Sequence, residues 1–234
     1  MSEQLLLPLS APLKLEEKPF LEGPSNIRAL SWIKQWPDWS HLPKALILEG
    51  PKGSGKTHLA RTWAHKTHAR SLASEDLPTL FKKEKWDARF FLLDDLVLTP
   101  EREEGLFHLY NHILLNEGGL LLTSAFSLSH YPFTLTDLAS RLRSLPIAIL
   151  KEPTEKMFRQ YFLLMLSLHD IALPSEQVDY LTQHLERTFD GADAYIKRLV
   201  HVLHTRHVRP TFSLIKEVLE ELKGHDVIVF SKVP

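Results

Sequence analysis

The chain has 234 residues and a mass of 27.0 kDa, 44% hydrophobic and 24% charged; that is room for one large domain, or one domain with a small lid, and enough apolar mass to exclude disorder over most of the length. Lys plus Arg number 28 against 29 Asp plus Glu, a formal net charge of −1, so a protein that coats DNA with its whole surface is excluded and any nucleic-acid contact needs a local patch. Cysteine is absent, which removes disulfides, Cys-based zinc, iron–sulfur clusters and thiol catalysis together and fits a reducing cytoplasm.

The greasiest runs, Tyr161–Leu168 and Leu120–Leu122, are far shorter than the roughly 18 apolar residues a membrane-spanning helix needs. Glu3 stands where a secretion signal carries positive charge, and the first apolar stretch ends at Pro8, so the sequence predicts a cytoplasmic protein without a membrane partner.

Residues 1–24 read as an extended arm, because Pro8, Pro12, Pro19 and Pro24 each remove a donor and disfavour helix in the residue before. A helix is expected after Ser25 with Ile27, Leu30, Ile33 and Trp36 at helical spacing, stopping at Pro37. Ala45–Leu48 reads as a buried strand entering a glycine loop, followed by a helix over 56–68. Arg89–Leu93 is a second strand ending in Asp94 and Asp95. Pro100 with Glu101, Glu103 and Glu104 suits the first turn of a helix that stops at Gly118-Gly119. Leu120–Thr123 is a third strand; Thr136 and Asp137 open a helix through Arg143, and Ile147–Leu150 is a fourth strand.

After Pro153 only helices are expected, over 154–169, 175–188, 191–206 and 211–223. The chain therefore divides into an arm (1–24), an α/β domain built on a parallel sheet flanked by helices (25–152), a small all-helical lid (153–223) and a tail (224–234) in which Val227–Phe230 is open between strand and tail.

Gly50-Pro51-Lys52-Gly53-Ser54-Gly55-Lys56-Thr57 matches G-x-x-x-x-G-K-[ST] at every fixed position, between a predicted strand and a predicted helix. Glycines let the backbone turn its N–H groups onto phosphate oxygens, and the helix that follows adds its positive dipole end. In this motif Lys56 reaches the β- and γ-phosphates and the Thr57 hydroxyl holds Mg²⁺. Phe90-Phe91-Leu92-Leu93-Asp94-Asp95 is an apolar strand ending in acids, where Asp94 is placed to hold Mg²⁺. Asp95 sits where many such ATPases carry a Glu to orient water, and it is one methylene shorter. Leu122-Thr123-Ser124 either presents a polar side chain near the γ-phosphate or simply ends its strand.

Arg141 and Arg143 end a short helix, where an arginine can point across an interface at a neighbour's nucleotide or lie solvated. Lys197, Arg198, His201, His204, Arg206, His207 and Arg209 make a local basic stretch, read as solvated or partner-facing rather than as a metal site, since no carboxylate falls at matching spacing. Gln4-Leu5-Leu6-Leu7-Pro8-Leu9 places leucines in a polar arm. It either folds back on its own domain or docks into a partner's groove, with Gln4 orienting it.

Gly50–Ala60, GPKGSGKTHLA, resembles the AAA+ module of the bacterial replication initiator DnaA. Leu109–Leu114 and Thr136–Leu142, and an arm of the form Gln-Leu-x-Leu-Pro-Leu, resemble the DnaA-homologous regulators of the DnaA/Hda family, over a span from the arm to about Leu222. The resemblance implies an AAA+ fold and a protein that binds the DNA-loaded β sliding clamp of DNA polymerase III, contacts ATP-bound DnaA and promotes hydrolysis of its ATP, preventing re-initiation. It implies that Gln4, Leu5, Leu7, Pro8 and Leu9 engage the clamp and that Arg141 is the arginine finger. It also implies that Lys56 and Thr57 hold the chain's own nucleotide, ADP or ATP, with Mg²⁺ on Thr57 and Asp94.

Three departures accompany it. Thr123-Ser124-Ala125 lacks the acid often found in DnaA. Gly191-Ala192-Asp193-Ala194 stands where an arginine reaching the nucleotide is expected, with Lys197 or Arg198 as possible substitutes. The sequence stops at Pro234 without a helix-turn-helix, so origin recognition by this chain is not expected, and DNA contact is expected only weakly through the basic stretch. Self-association is left open. The rival reading is an active AAA+ ATPase of the DnaC/IstB type, loading a helicase or assisting transposition; a small-molecule kinase fits less well.

Overall fold

A computed structural model describes residues 19–39, 43–80 and 88–230, with backbone alone for 225–230. The clamp-type motif at Gln4–Leu9 lies outside the described residues. Five strands form one parallel sheet: β1 (Lys44–Glu49), β2 (Arg70–Leu72), β3 (Phe90–Leu93), β4 (Gly119–Ser124) and β5 (Ile147–Ile149), in the order β2-β3-β4-β1-β5. The central strands are unbroken apolar runs because both faces of the sheet are covered. Their side chains alternate between two cores. Ala45, Ile47, Phe91, Leu93, Leu120 and Leu122 point to one, while Leu46, Leu48, Leu92 and Leu121 point to the other.

The first core is closed by α3 (Leu77–Leu80), α4 (Pro100–Leu115) and α5 (Thr136–Arg143). The second is closed by α1 (Ile27–Lys34) and α2 (Lys56–Thr67), with Trp63 fully buried. A third core belongs to four helices, α6 (Glu155–Leu168), α7 (Ser175–His184), α8 (Phe189–Arg206) and α9 (Phe212–Phe230), packed around Phe158, Phe162, Tyr195 and Leu199.

Strand β2 carries no apolar pattern: Arg70 and Ser71 are exposed, and only Leu72 is buried. It is a three-residue edge strand recognised through its register with Phe91, Leu92 and Leu93, information that is not local to residues 70–72. Asn26 rather than Ser25 precedes α1; its side chain accepts from Gly23 N–H and donates to the Leu21 carbonyl, while Ser25 donates to the Met157 sulfur. Ile27 faces solvent, and Ala29 and Ile33 make the buried side of α1. Helix α9 continues through Val227–Phe230. Glu103, one of the first-turn acids facing the helix dipole, is fully buried. Its carboxylate accepts from Thr134 N–H and hydroxyl at 2.9 and 2.8 Å and from Leu135 N–H at 2.8 Å, which pins the entry to α5 onto α4.

Candidate nucleotide site and arginine mount

Strand β1 runs between β4 and β5, and at its end the chain turns into the glycine loop and α2. Gly53 and Gly55 have φ of 71° and 93°, values open to glycine at little cost. A Cβ on Gly53 would also fall 2.5 Å from the Thr188 side chain. The Lys56 ammonium is folded onto the loop, donating to the Gly50 and Pro51 carbonyls at 2.7 and 2.8 Å. Burial lowers its pKa, and Asp95, Asp190 and Asp94 oppose that shift. The Ser54 hydroxyl is buried inside the loop with no hydrogen-bond partner among the described residues.

The acids at the end of β3 lie beside the loop. Thr57 Oγ1 donates to Asp94 Oδ1 at 3.2 Å, and Arg61 Nε lies 3.6 Å from Asp94 Oδ2. Thr123 Oγ1 donates to the same Asp94 oxygen at 2.8 Å and accepts from Asp95 N–H at 2.7 Å. The Thr123 hydroxyl is thus spent on aligning the acid pair, one donor and one acceptor used. Ser124 is engaged with the Phe126 backbone. Asp95 adopts φ 54° and lines the cleft with Lys56 and Thr57.

That cleft encloses about 580 Å³ between the loop and the helical part, within the size of small-molecule sites. Three of its aromatic wall residues escape sequence reasoning. Phe20 lies edge-on to His58 at 5.3 Å, and Tyr161 lies edge-on to Phe189 at 4.7 Å. Phe20 and Tyr161 are separated by more than a hundred residues and carry no motif. Phe189 N–H donates to the Gly53 carbonyl at 3.0 Å, so the start of α8 is bonded to the phosphate loop. α8 turns Asp190 and Asp193 toward the cleft, where the family resemblance leads one to expect an arginine. Lys197 does not line the cleft, and Arg198 pairs with Glu221 at 2.7 Å, so neither supplies that cation. Farther along the basic stretch, Arg206 is paired with Glu217 at 2.8 Å.

The glycine loop with its orphaned Ser54 hydroxyl, the buried lysine and the Thr57–Asp94 pair fit a nucleotide phosphate chain with its magnesium. Arg141 lies elsewhere. It donates to the Asn111 side-chain oxygen, and its guanidinium sits over the rings of Phe107 at 4.8 Å and Tyr110 at 5.3 Å. All three partners are on α4. The half-buried arginine is held on α5 against α4, clear of the chain's own cleft. Arg143 is exposed, over Phe133 at 5.7 Å.

Fold and loop together are those of a P-loop α/β module followed by a helical part. No family model matches the chain. It is 27% identical over 202 residues to the chromosomal replication initiator protein DnaA of Helicobacter pylori strain J99, covering 76% of this chain and 43% of that protein; DnaA of strain Shi470 matches at the same identity, with 44% covered. The chain therefore spans less than half the length of the curated relatives it matches. Among solved structures, domain III of Thermotoga maritima DnaA superposes with a TM-score of 0.70 at 20% identity, over 86% of this chain and 94% of that one. The AMPPCP-bound DnaA of Aquifex aeolicus gives 0.69 at 20% identity, over 91% and 69%. The RuvB Holliday junction branch migration motor of T. maritima gives 0.54 at 22% identity, over 76% and 62%. The chain is thus similar to DnaA in sequence over three quarters of its length and shares the fold of DnaA domain III. Among the described residues, no helix is long and apolar enough to cross a membrane.

Proposed function

We propose that this chain is a nucleotide-bound regulator of replication initiation that tethers itself to the β sliding clamp through Gln4, Leu5, Leu7, Pro8 and Leu9 and presents Arg141 to ATP bound by DnaA. The observation that carries the reading is the placement of Arg141: away from its own cleft, stacked on two rings and fixed by Asn111. An arginine meant for its own nucleotide would face the cleft, and a solvated one would not be held from three sides. A rigid guanidinium offered in trans meets the charge that develops on the transferred phosphoryl group, an effect worth ~10³- to 10⁵-fold in rate.

The chain's own cleft takes a binding role in this reading. Lys56 and the loop N–H groups hold the phosphates of ADP or ATP, while Thr57 and Asp94 hold Mg²⁺. Magnesium held there would supply positive charge against the phosphates. Thr123 orients Asp94, and Asp95 has the shorter reach toward a water. The hydrolysis set is therefore weak, and the chain acts through a partner's ATP rather than its own.

The complete phosphate loop favours a second reading, a loader-type ATPase of the DnaC/IstB kind. Two assays separate them. The regulator reading expects little ATP turnover by the chain alone, no stimulation by single-stranded DNA, and loss of clamp binding in Leu5→Ala with Leu7→Ala. Turnover that rises with single-stranded DNA, with clamp binding intact in the double variant, moves the assignment to the loader.

A further inference from the structure

Residues 194–216 hold five Lys and Arg, three His and no Asp or Glu, so this run carries +5 while the rest of the chain carries −6. It covers most of α8, the turn after it and the start of α9. The structure sorts its cations. Arg198 and Arg206 are turned onto α9, paired with Glu221 at 2.7 Å and Glu217 at 2.8 Å. Lys216 lies 4.3 Å over the Phe212 ring. Lys197, His201 and His204 remain, at i, i+4 and i+7 of α8; they share one side of the helix and all three are exposed. Arg209 is exposed in the turn that follows. That turn is ordered: His207 takes φ 52°, and Val208 N–H donates to the Leu203 carbonyl at 3.3 Å. Neither Lys197 nor Arg209 has an ion pair among the described residues. A cation in the last turn suits the negative end of a helix, which accounts for His204. It does not account for Lys197 and His201 in mid-helix, or for Arg209 beyond it. The row begins one turn after Asp193, whose carboxylate accepts from the Tyr161 hydroxyl at 2.7 Å.

We infer that this outer side of α8, with Arg209 after it, is a contact surface for the phosphate backbone of duplex DNA, without regard to sequence. Lys197 to His204 spans about 10 Å along the helix, a row of separate donors on a convex surface. Such a row suits an extended polyanion, whereas a small anion is held in a concave site. An imidazole offers a ring N–H to a phosphate oxygen even when neutral. Surfaces for single strands interleave aromatic rings on which bases stack; the row carries none, and Phe212 beside the turn is taken by Lys216 and the Tyr180 ring. Two backbone cations give weak binding, with a Kd in the range of about 10⁻⁴ to 10⁻⁶ M for non-specific contacts. Weak binding is enough for a chain already tethered to a DNA-loaded clamp, because a tether supplies an effective concentration on the order of millimolar. That last step uses the clamp reading; the surface itself does not.

The test is fluorescence anisotropy of a labelled, mixed-sequence duplex of about 20 base pairs with the full chain, without clamp or nucleotide, so its failure leaves the regulator reading standing. The proteins are the unsubstituted chain, Lys197→Gln, Arg209→Gln, the double variant, and Lys34→Gln on α1 as a control. Both substituted side chains of the row are exposed, and circular dichroism checks that the variants fold. The unsubstituted chain is expected to bind about tenfold more weakly at 200 mM than at 50 mM salt, as two released counterions require. Each single variant should lower the salt slope by about one, and the double variant should lose about tenfold or more at 50 mM salt, with Lys34→Gln unchanged. No duplex binding at 50 mM salt, or equal binding by the folded double variant, overturns the inference. Tighter binding of a single strand of the same length overturns it in favour of a single-strand surface. Displacement of the duplex by poly-glutamate as effective as by unlabelled duplex overturns it in favour of an acidic protein partner.

Discussion

The phosphate loop and the Arg141 mount are built in opposite ways. The loop is eight consecutive residues whose geometry comes from backbone torsions, with Gly53 and Gly55 at positive φ and Lys56 tied to two carbonyls of the same loop. The mount is assembled from side chains of two helices. Phe107, Tyr110 and Asn111 hold the guanidinium, and Glu103 fixes the start of the helix that carries it. A site made by one stretch of backbone is robust to changes elsewhere. A site made by packing depends on each neighbour, and each neighbour can be removed separately.

Lys56→Ala gives the largest expected separation of the two regions. It removes the buried ammonium of the loop, and nucleotide affinity should fall about 100-fold. Calorimetry with ADP measures this, while circular dichroism should still report a folded chain. Glu103→Ala acts on the other region. It strips three donors of their carboxylate and should lower stability by about 2 kcal/mol in urea unfolding, with ADP affinity in the folded protein unchanged. A matching loss of ADP affinity would show that the two regions are not independent.

Asn111→Ala should leave stability near that of the unsubstituted chain and reduce stimulation of DnaA-bound ATP hydrolysis about tenfold, because a charged hydrogen bond that orients Arg141 is lost while the two rings still hold it. Tyr161→Phe is the mildest. It removes one donor from Asp193 and should cost about 1 kcal/mol of stability or less in the same urea experiment.

The same contrast decides what can be read from the sequence. The loop, its strand and its helix are legible because all the information lies between Ala45 and Thr67. Asp94 and Asp95 are legible because an apolar strand ends in them. The four strands with apolar runs announce themselves, whereas β2 does not, since Arg70-Ser71-Leu72 has no periodicity and is defined only by its partner β3. The cleft's other wall is hidden for the same reason: Phe20 falls in the stretch read as an extended arm, and Tyr161 and Phe189 carry no motif. Glu103 reads only as a first-turn acid facing the helix dipole, because nothing in its neighbourhood announces Thr134 and Leu135 as partners. Arg141 can be singled out by resemblance, but its stacking on Phe107 and Tyr110, at positions i and i+3 of α4, requires the packed structure.

The most direct test of the central claim is the rate of hydrolysis of DnaA-bound ATP with clamp-loaded DNA, in the presence of the unsubstituted chain and of Arg141→Ala. The account predicts strong stimulation by the first and a loss of about 10³-fold in the second, with Arg141→Ala still folded and still binding ADP. Equal stimulation by both proteins would contradict it and remove Arg141 from the reaction.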